Sequence, residues 1–394
     1  MRFLLYLLIG MIFPAAVMGQ NGTIIGKVSS ADIQIPLGNA SVFLSNATFG
    51  TATAADGTFK LQNVKPGQYE LVVTYVGYDT YYQTIMVTGT TLQLNIEMHL
   101  KNNAMEEVSI VSHKFSKENF DKFCKAFVGE SPNAKLCKVI NPKGIDLVYH
   151  KFEKVLEGHS DDFLIIDNKA LGYRVRYLIN EFKSDEVNYM ISYEGKVLYE
   201  ELKGSKAQLA RWRKKREEVY YGSSMHFMRS LIHGDMDQQG FVIRQLVRKP
   251  NPERPPQIVI QQKLDKFYAQ QNRDSVEHWQ ALSHLRRYNE TLIRQPMKIE
   301  DILRRTEQPG IFAITFPDYL YVVYTKKRDE DHFNDVYRPL EMENFATSVI
   351  TLYKPYALFD LNGVVISPHA TLYEGTWSKD RVAEQLPVDY VPGP

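Results

Sequence analysis

Apolar and polar side chains alternate through residues 22–98 with a period of two, the mark of strands whose two faces meet different surroundings. Ile24, Gly26 and Val28 fall on one face, as do Val42 and Leu44. Tyr69, Leu71, Val73 and Tyr75 make a second such row, and Leu92, Leu94, Ile96 and Met98 alternate with Gln93, Asn95 and Glu97. Turn signals separate the runs. Asp56-Gly57 lies between Thr51–Ala54 and Thr58–Leu61, and Asp-Gly is favoured where a hairpin needs positive φ. Pro66-Gly67 marks a second reversal. About seven short strands at this spacing predict an N-terminal all-β Greek-key sandwich over 20–98.

The pattern then changes. Residues 99–115 are polar until Val108–Val111 and read as a linker, and 116–394 reads as a β-rich α+β domain. A helix is expected over Lys117–Val128. Strands are expected over Asp146–Val155, Phe163–Ile166, Gly172–Phe182, Asn188–Ile191 and Lys196–Glu201, followed by a helical stretch from Lys206 to about Ile232. Phe241–Arg248 and Gln257–Leu264 look extended. Between them Lys249-Pro-Asn-Pro-Glu-Arg-Pro-Pro256 should not sustain a ladder, since proline lacks the backbone donor; a hairpin loop or a subdomain joint is expected there. Strands resume over Ile311–Phe316, Leu320–Lys326, Thr347–Tyr353 and Ala357–Leu361, with Asn362-Gly363 as a turn.

Residues 1–19 have the form of a secretory signal. Arg2 precedes an apolar run from Phe3 to Phe13, and Val17-Met18-Gly19 forms a cleavage site before Gln20. The run is shorter than the roughly 20 residues of a membrane-spanning helix. No cysteine follows it, so lipid attachment at a processed cysteine is excluded. No transmembrane helix is expected after signal cleavage. The charge, 47 basic against 46 acidic residues, creates no global field toward nucleic acid or membrane. The two cysteines, Cys124 and Cys137, can bridge in an oxidising compartment, closing a loop worth roughly 3 kcal/mol in the chain-entropy treatment; two unpaired buried thiols are the alternative. They lack the Cys-x-x-Cys spacing or histidine partners of a redox or metal site.

The ordered set Gly-x-Val (26–28), Pro-Leu-x-x-Ala-x-Val (36–42), Asp-Gly-x-Phe-x-Leu (56–61), Pro-Gly-x-Tyr-x-Leu (66–71) and Gly77-Tyr78 resembles the carboxypeptidase-regulatory-like domain, a transthyretin-like sandwich. That resemblance implies an envelope protein of the Bacteroidota type, since the domain there heads many envelope proteins and TonB-dependent receptors besides accompanying peptidases. Met105–Val111 resembles the linker that follows the domain in those receptors. Four later segments, Asn133–Pro142, Asp167–Tyr173, Tyr221–Phe227 and Trp377–Ala383, are similar to a C-terminal domain of unknown function carried behind the same sandwich. No activity comes with that likeness.

The peptidase association invites a search for zinc ligands. His150-Lys-Phe-Glu153 has His-x-x-Glu spacing, but on a continuous strand residues three apart point to opposite faces. His-Glu-x-x-His is absent. Tyr220-Tyr-Gly-Ser-Ser-Met-His226 places Ser223 and Ser224 near His226 as a candidate polar contact. A local cluster shows neither an oriented base nor a third group, so the expected role is a small-residue break with His226, Phe227 and Leu231 packed inward. Lys206, Arg211, Arg213, Lys214, Lys215 and Arg216, with Trp212 among them, read as a solvated helix face; an anionic glycolipid or nucleic acid is the alternative, without an aromatic platform for bases. No catalytic, cofactor-binding or metal-binding residue is assigned, no cofactor is expected, and nucleic acid is not the expected partner.

These readings point to an exported cell-envelope protein, periplasmic, outer-membrane associated or at the cell exterior. Its expected role is non-enzymatic binding or scaffolding of a protein or glycan. A hydrolase with an unrecognised site in 116–394 is the first alternative. An outer-membrane β-barrel component is the second, permitted by alternation such as Tyr173, Val175, Tyr177 and Ile179 against Arg174 and Arg176.

Overall fold

A computed structural model of the chain describes residues 21–101, 115–329 and 343–393. The signal segment and most of the linker, with Met105–Val111, lie outside them.

The N-terminal alternation becomes seven strands: β1 (Gly22–Ser30), β2 (Ser41–Leu44), β3 (Gly50–Ala52), β4 (Thr58–Val64), β5 (Gly67–Thr74), β6 (Tyr81–Val87) and β7 (Thr91–Met98). They form two facing sheets, β4-β1-β7 and β3-β2-β5-β6, with β1 and β7 parallel and the other pairs antiparallel. Ile24, Val28, Val42, Leu44, Tyr69, Leu71, Val73, Ile96 and Met98 fill the space between, the rows that the alternation assigns inward.

The second body begins with α1 (Lys117–Phe127), capped by the Ser116 hydroxyl, which accepts from Asn119 N at 3.3 Å. Its Phe123 and Phe127 pack edge-on against Phe182, Tyr177 and Tyr193 of a six-stranded sheet. That sheet contains β8 (Cys137–Val139), β9 (Asp146–His150), β10 (Val155–His159), β11 (Leu164–Asn168), β12 (Tyr173–Asp185) and β13 (Met190–Glu201), all antiparallel pairs. The thirteen-residue β12 is its spine, pairing with β10 and β11 on one side and β13 on the other. Two expectations change here. Asp146–Val155 is a hairpin, turned at Lys151–Lys154 with Lys154 at positive φ. The strands expected over 188–191 and 196–201 merge into one, β13, which begins at Met190 after a turn at 186–189.

The predicted helical stretch is two helices, α2 (Lys206–Tyr220) and α3 (Ser224–His233), and a short α4 (Met236–Gln239) follows. Next comes β14 (Phe241–Pro250), whose ladder with β15 (Tyr288–Leu292) runs two residues into the proline-rich segment. Between these paired strands the chain inserts a helical hairpin, α5 (Gln257–Ala269) and α6 (Arg273–His284). The extended reading of Gln257–Leu264 is therefore corrected. The run Ile258-Val259-Ile260 has β-branched residues, but Ile260, Leu264 and Phe267 follow helical spacing, and Pro256 sets the entry.

The remaining strands are β16 (Leu303–Arg305), β17 (Ile311–Ile314), β18 (Tyr319–Arg328), β19 (Phe345–Leu352), β20 (Ala357–Asp360) and β21 (Thr371–Gly375). They form a five-stranded sheet, β15-β14-β18-β19-β21, and a three-stranded one, β16-β17-β20; α3 packs into the core between them through Phe227, Met228 and Leu231. The described strands thus divide among five sheets and do not make the single closed array that a membrane barrel requires. No described helix is long and apolar enough to cross a membrane.

The sandwich is not a bead on a string. Phe43 and Val72, which alternation turns away from the sandwich core, are fully buried against Phe163, Leu178 and Leu198 of the six-stranded sheet. Asn46 N donates to Val197 O at 2.7 Å, Tyr199 N to Ala47 O at 3.0 Å, and Lys196 Nζ meets the Glu70 carboxylate at 2.8 Å. The C-terminal segment completes the joint. Trp377 belongs to the core under α3, Val382, Ala383 and Leu386 to the core under α1, and Val388 to the core of the sandwich.

Candidate functional site

The segment between α2 and α3 is shaped by contacts that only small residues allow. Gly222 has φ 88°, and a Cβ there would come within 2.6 Å of the Tyr324 ring. Its carbonyl accepts from Trp377 Nε1 at 2.7 Å. Ser223 is the N-cap of α3, its hydroxyl accepting from the backbone N–H of His226 at 3.2 Å. Ser224 is the first residue of that helix. Neither serine hydroxyl bonds the His226 ring.

His226 is buried among aromatic rings, with centroids at 5.0 Å to Tyr220, 5.3 Å to Tyr221 and 5.0 Å to Phe241. Its Nδ1 accepts from Gly222 N–H at 3.1 Å, so the proton sits on Nε2, which donates to Gln239 Oε1 at 3.1 Å. Gln239 Nε2 donates in turn to Asp235 Oδ2 at 2.7 Å. The other carboxylate oxygen, Oδ1, is buried without a partner. Burial holds the imidazole pKa below its ordinary value. With both nitrogens committed and the ring kept neutral, His226 has no lone pair to offer as a general base.

Beside this chain lies a cavity of about 160 Å³, lined by Tyr220, Tyr221, His226, Ser230, His233, Asp235 and Gln239 together with Arg229 and Pro392. Arg229 is spent on the chain's own backbone. Its guanidinium donates to Asn362 O at 2.9 Å, Tyr390 O at 2.9 Å and Val388 O at 2.7 Å, and so fastens the C-terminal segment that makes one wall. Asp235, Gln239, Arg229 and Pro392 lay outside the sequence reading. Their nearest signal was Gly234-Asp235 after the last turn of α3, which has the form of a helix end and not of a site.

Other candidates fall elsewhere. Cys124 and Cys137 are half-buried and unbonded. Cys137 Sγ lies 3.5 Å from Asn133 O, and burial pushes the two thiols up to about 11 and about 12. His150 and Glu153 do approach, at 3.8 Å, because the hairpin turn cancels the opposite-face argument; His150 Nε2 lies 3.2 Å from Glu157. Both side chains are solvent-exposed, and no group of three metal-ligating side chains occurs among the described residues. On α2, Trp212 is buried against Gly172, where a Cβ would lie 2.2 Å from the indole, and its Nε1 donates to Lys169 O at 2.9 Å. Arg216 caps Leu171 O at 2.8 Å and lies 3.8 Å from the Tyr173 ring. Lys215 pairs with Glu218, leaving Lys206, Arg211, Arg213 and Lys214 on the solvent face.

The four segments that carried the C-terminal likeness meet at the C-terminal strap. Asn168 Nδ2 donates to Ala383 O at 3.0 Å, Asn133 Nδ2 to Glu384 Oε2 at 2.7 Å, and Trp377 reaches Gly222. These bonds tie the segments to the strap.

Against known proteins, the sandwich is decisive. Residues 24–110 match the CarboxypepD_reg-like domain. The match covers the seven strands and leaves the β-rich α+β region outside it. No curated protein matches the chain. Among solved structures, the group B streptococcus pilus 2b backbone protein is 19% identical over 20% of this chain and 41% of that one, with TM-score 0.18. This chain therefore spans about two-fifths of that protein. A cohesin–X-dockerin complex from Acetivibrio cellulolyticus is 19% identical over 27% of this chain and 74% of that one, at TM-score 0.19. A protein of unknown function from Bacteroides fragilis is 11% identical over 91% and 94%, at 0.17. At these scores none of the three bears on function.

Proposed function

We propose that this chain is an exported envelope protein of the Bacteroidota type that binds a glycan or protein partner and performs no chemistry on it. The observation that carries the reading is the joint between its parts. A CarboxypepD_reg-like sandwich shares a buried core with the six-stranded sheet, and one C-terminal strap is bonded to both. Such a joint holds a presenting module at a fixed attitude, which suits a scaffold. Two further observations support it. His226, the best-placed titratable side chain, is consumed by structural bonds. The cavity beside it sets two tyrosine rings next to several polar side chains, the combination of aromatic wall and placed polar groups found in small-molecule sites.

The test is co-sedimentation of the purified chain, residues 20–394, with envelope polysaccharide isolated from the producing cells, alongside turnover assays on ester, peptide and glycoside substrates. Saturable retention without turnover is expected. Turnover of any substrate, lost on replacing a residue of 116–394, would establish a hydrolase instead. Fractionation and N-terminal sequencing of the cellular protein test the address, with envelope recovery and a start at Gln20 expected.

A further inference from the structure

We infer that the cavity between α3, α4 and the C-terminal strap binds one neutral, hydroxyl-bearing six-membered ring, such as a single pyranose unit. The inference deepens the binding role proposed above and names the ligand class for one site.

Size comes first. A cavity of about 150 Å³ accommodates one benzene ring of six heavy atoms; this one measures about 160 Å³, so it seats one face or edge of a pyranose, which has roughly twice as many, with the rest standing in the open rim. A single unit can therefore engage the cavity, and any further units would extend outward past the exposed Tyr221 and His233.

Hydrogen-bonding capacity decides the chemistry. The Gln239 amide is oriented by two bonds, to His226 and Asp235, so one of its N–H groups is left to donate. Asp235, a carboxylate that can only accept, lines the cavity and supplies the complementary acceptor. The imidazole of His233 and the hydroxyl of Tyr221 add groups that serve either way. A lining that offers donors and acceptors together matches hydroxyls, which do both.

Charge excludes the competitors. An anion such as phosphate would face the Asp235 carboxylate, while the guanidinium of Arg229 is already occupied by three backbone carbonyls. An ammonium ion would meet Asp235 but also that same guanidinium, so the lining carries one charge of each sign and favours neither class of ion. Tyr220 and Tyr221, with ring centroids 5.4 Å apart and nearly perpendicular, form an apolar corner for the carbon faces of a ring.

The experiment uses the full chain from residue 20 with methyl β-glucopyranoside, methyl α-mannopyranoside and N-acetylglucosamine as neutral probes. Glucosamine and inorganic phosphate serve as charged ones. Binding is followed by saturation-transfer difference NMR and calorimetry. At least one neutral ring is expected to bind, and Tyr221→Ala or His233→Ala should weaken it at least tenfold. His233 lies at the exposed rim, so its replacement should leave the melting temperature unmoved, whereas Tyr221→Ala also removes ring contacts to Tyr220 and His226 and should lower it modestly. Preference for phosphate or glucosamine, or no binding of any neutral probe, overturns the inference. Binding that survives both substitutions overturns this site and leaves the broader binding role standing. Loss of polysaccharide retention with pyranoside binding intact does the reverse.

Discussion

The sandwich and the region behind it solve the same problem, burying one face of each strand, by different routes. In the sandwich, seven strands follow one another within 77 residues of chain, and its core draws two residues from elsewhere, Val388 and the partly buried Val364. In the second region, partners come from far apart. Strand β14 pairs with β15 across an inserted helical hairpin, β19 pairs with β21, and residues 377–388 reach three cores in turn. The difference is between a fold set by local alternation and one that is closed only when its last segment arrives. The joint between them uses the sandwich's second face, through Phe43 and Val72.

The sharpest way to break that comparison is at the joint. Phe43→Ala should cost about 3–5 kcal/mol, the range for truncating a fully buried phenylalanine, read from the denaturant midpoint of the full chain. Gln93→Ala, on the solvent-facing side of the sandwich's other sheet, should stay within about 0.5 kcal/mol. If the two substitutions cost the same, the sandwich is tethered and not packed. The strap comes next. Arg229→Ala removes three charge-assisted bonds to carbonyls and should cost about 2–4 kcal/mol. Arg229→Lys should fail to restore it, because an ammonium on a flexible stem cannot reproduce the planar fork. Full rescue by lysine would mean that charge, and not geometry, holds the strap.

This division explains what could be read from the chain beforehand. The inward rows at 69–75 and 92–98 were legible because strand period and turn chemistry agree there. Phe43 and Val72 were not, although Val42-Phe43-Leu44 and Leu71-Val72-Val73 are continuous apolar runs that signal burial on both faces. The α5 helix was misread because a β-branched triplet outweighed a weak helical stripe in which only Ile260 is buried. At the site, the inward packing of His226 followed from its neighbours. Its partners Gln239 and Asp235 did not, since the turn at Gly234 that folds α4 back carries no pattern naming what it faces. The strap's role was hidden for the same reason: hydrogen bonds from Arg229 to residues 362, 388 and 390 leave no periodic trace.

A smaller effect separates packing from charge at the strap. Burial and the neighbouring Glu384 push the Asp380 carboxyl up to about 7, above its ordinary value of 3.8. The folded chain therefore binds more protons than the unfolded chain between those values, and stability falls as pH rises through that window. Asp380→Asn should gain on the order of 1–2 kcal/mol at pH 8 and nothing near pH 4. An equal gain at both values would assign the effect to hydrogen bonding instead.

The least energetic test concerns the thiols, and it sets the second region's packing against the redox conditions expected of an exported protein. Cys124 lies against the core under α1, and Cys137 points at the Asn133 carbonyl; burial raises both pKa values, more for Cys137. At pH 8 a thiol titrating near 11 is roughly one part in a thousand thiolate, the reactive form. Native alkylation should thus be about 100-fold slower than in denaturant, with Cys124 reacting before Cys137. Denaturation without reductant should expose two thiols per chain. If it exposes none, the two sulfurs are bridged, and the turn at residues 133–139 loses the thiol hydrogen bond that Cys137 donates to Asn133 O. That loss would act on Asn133, which bonds Glu384 in the strap, so a bridge would report directly on how firmly the C-terminal segment is fastened.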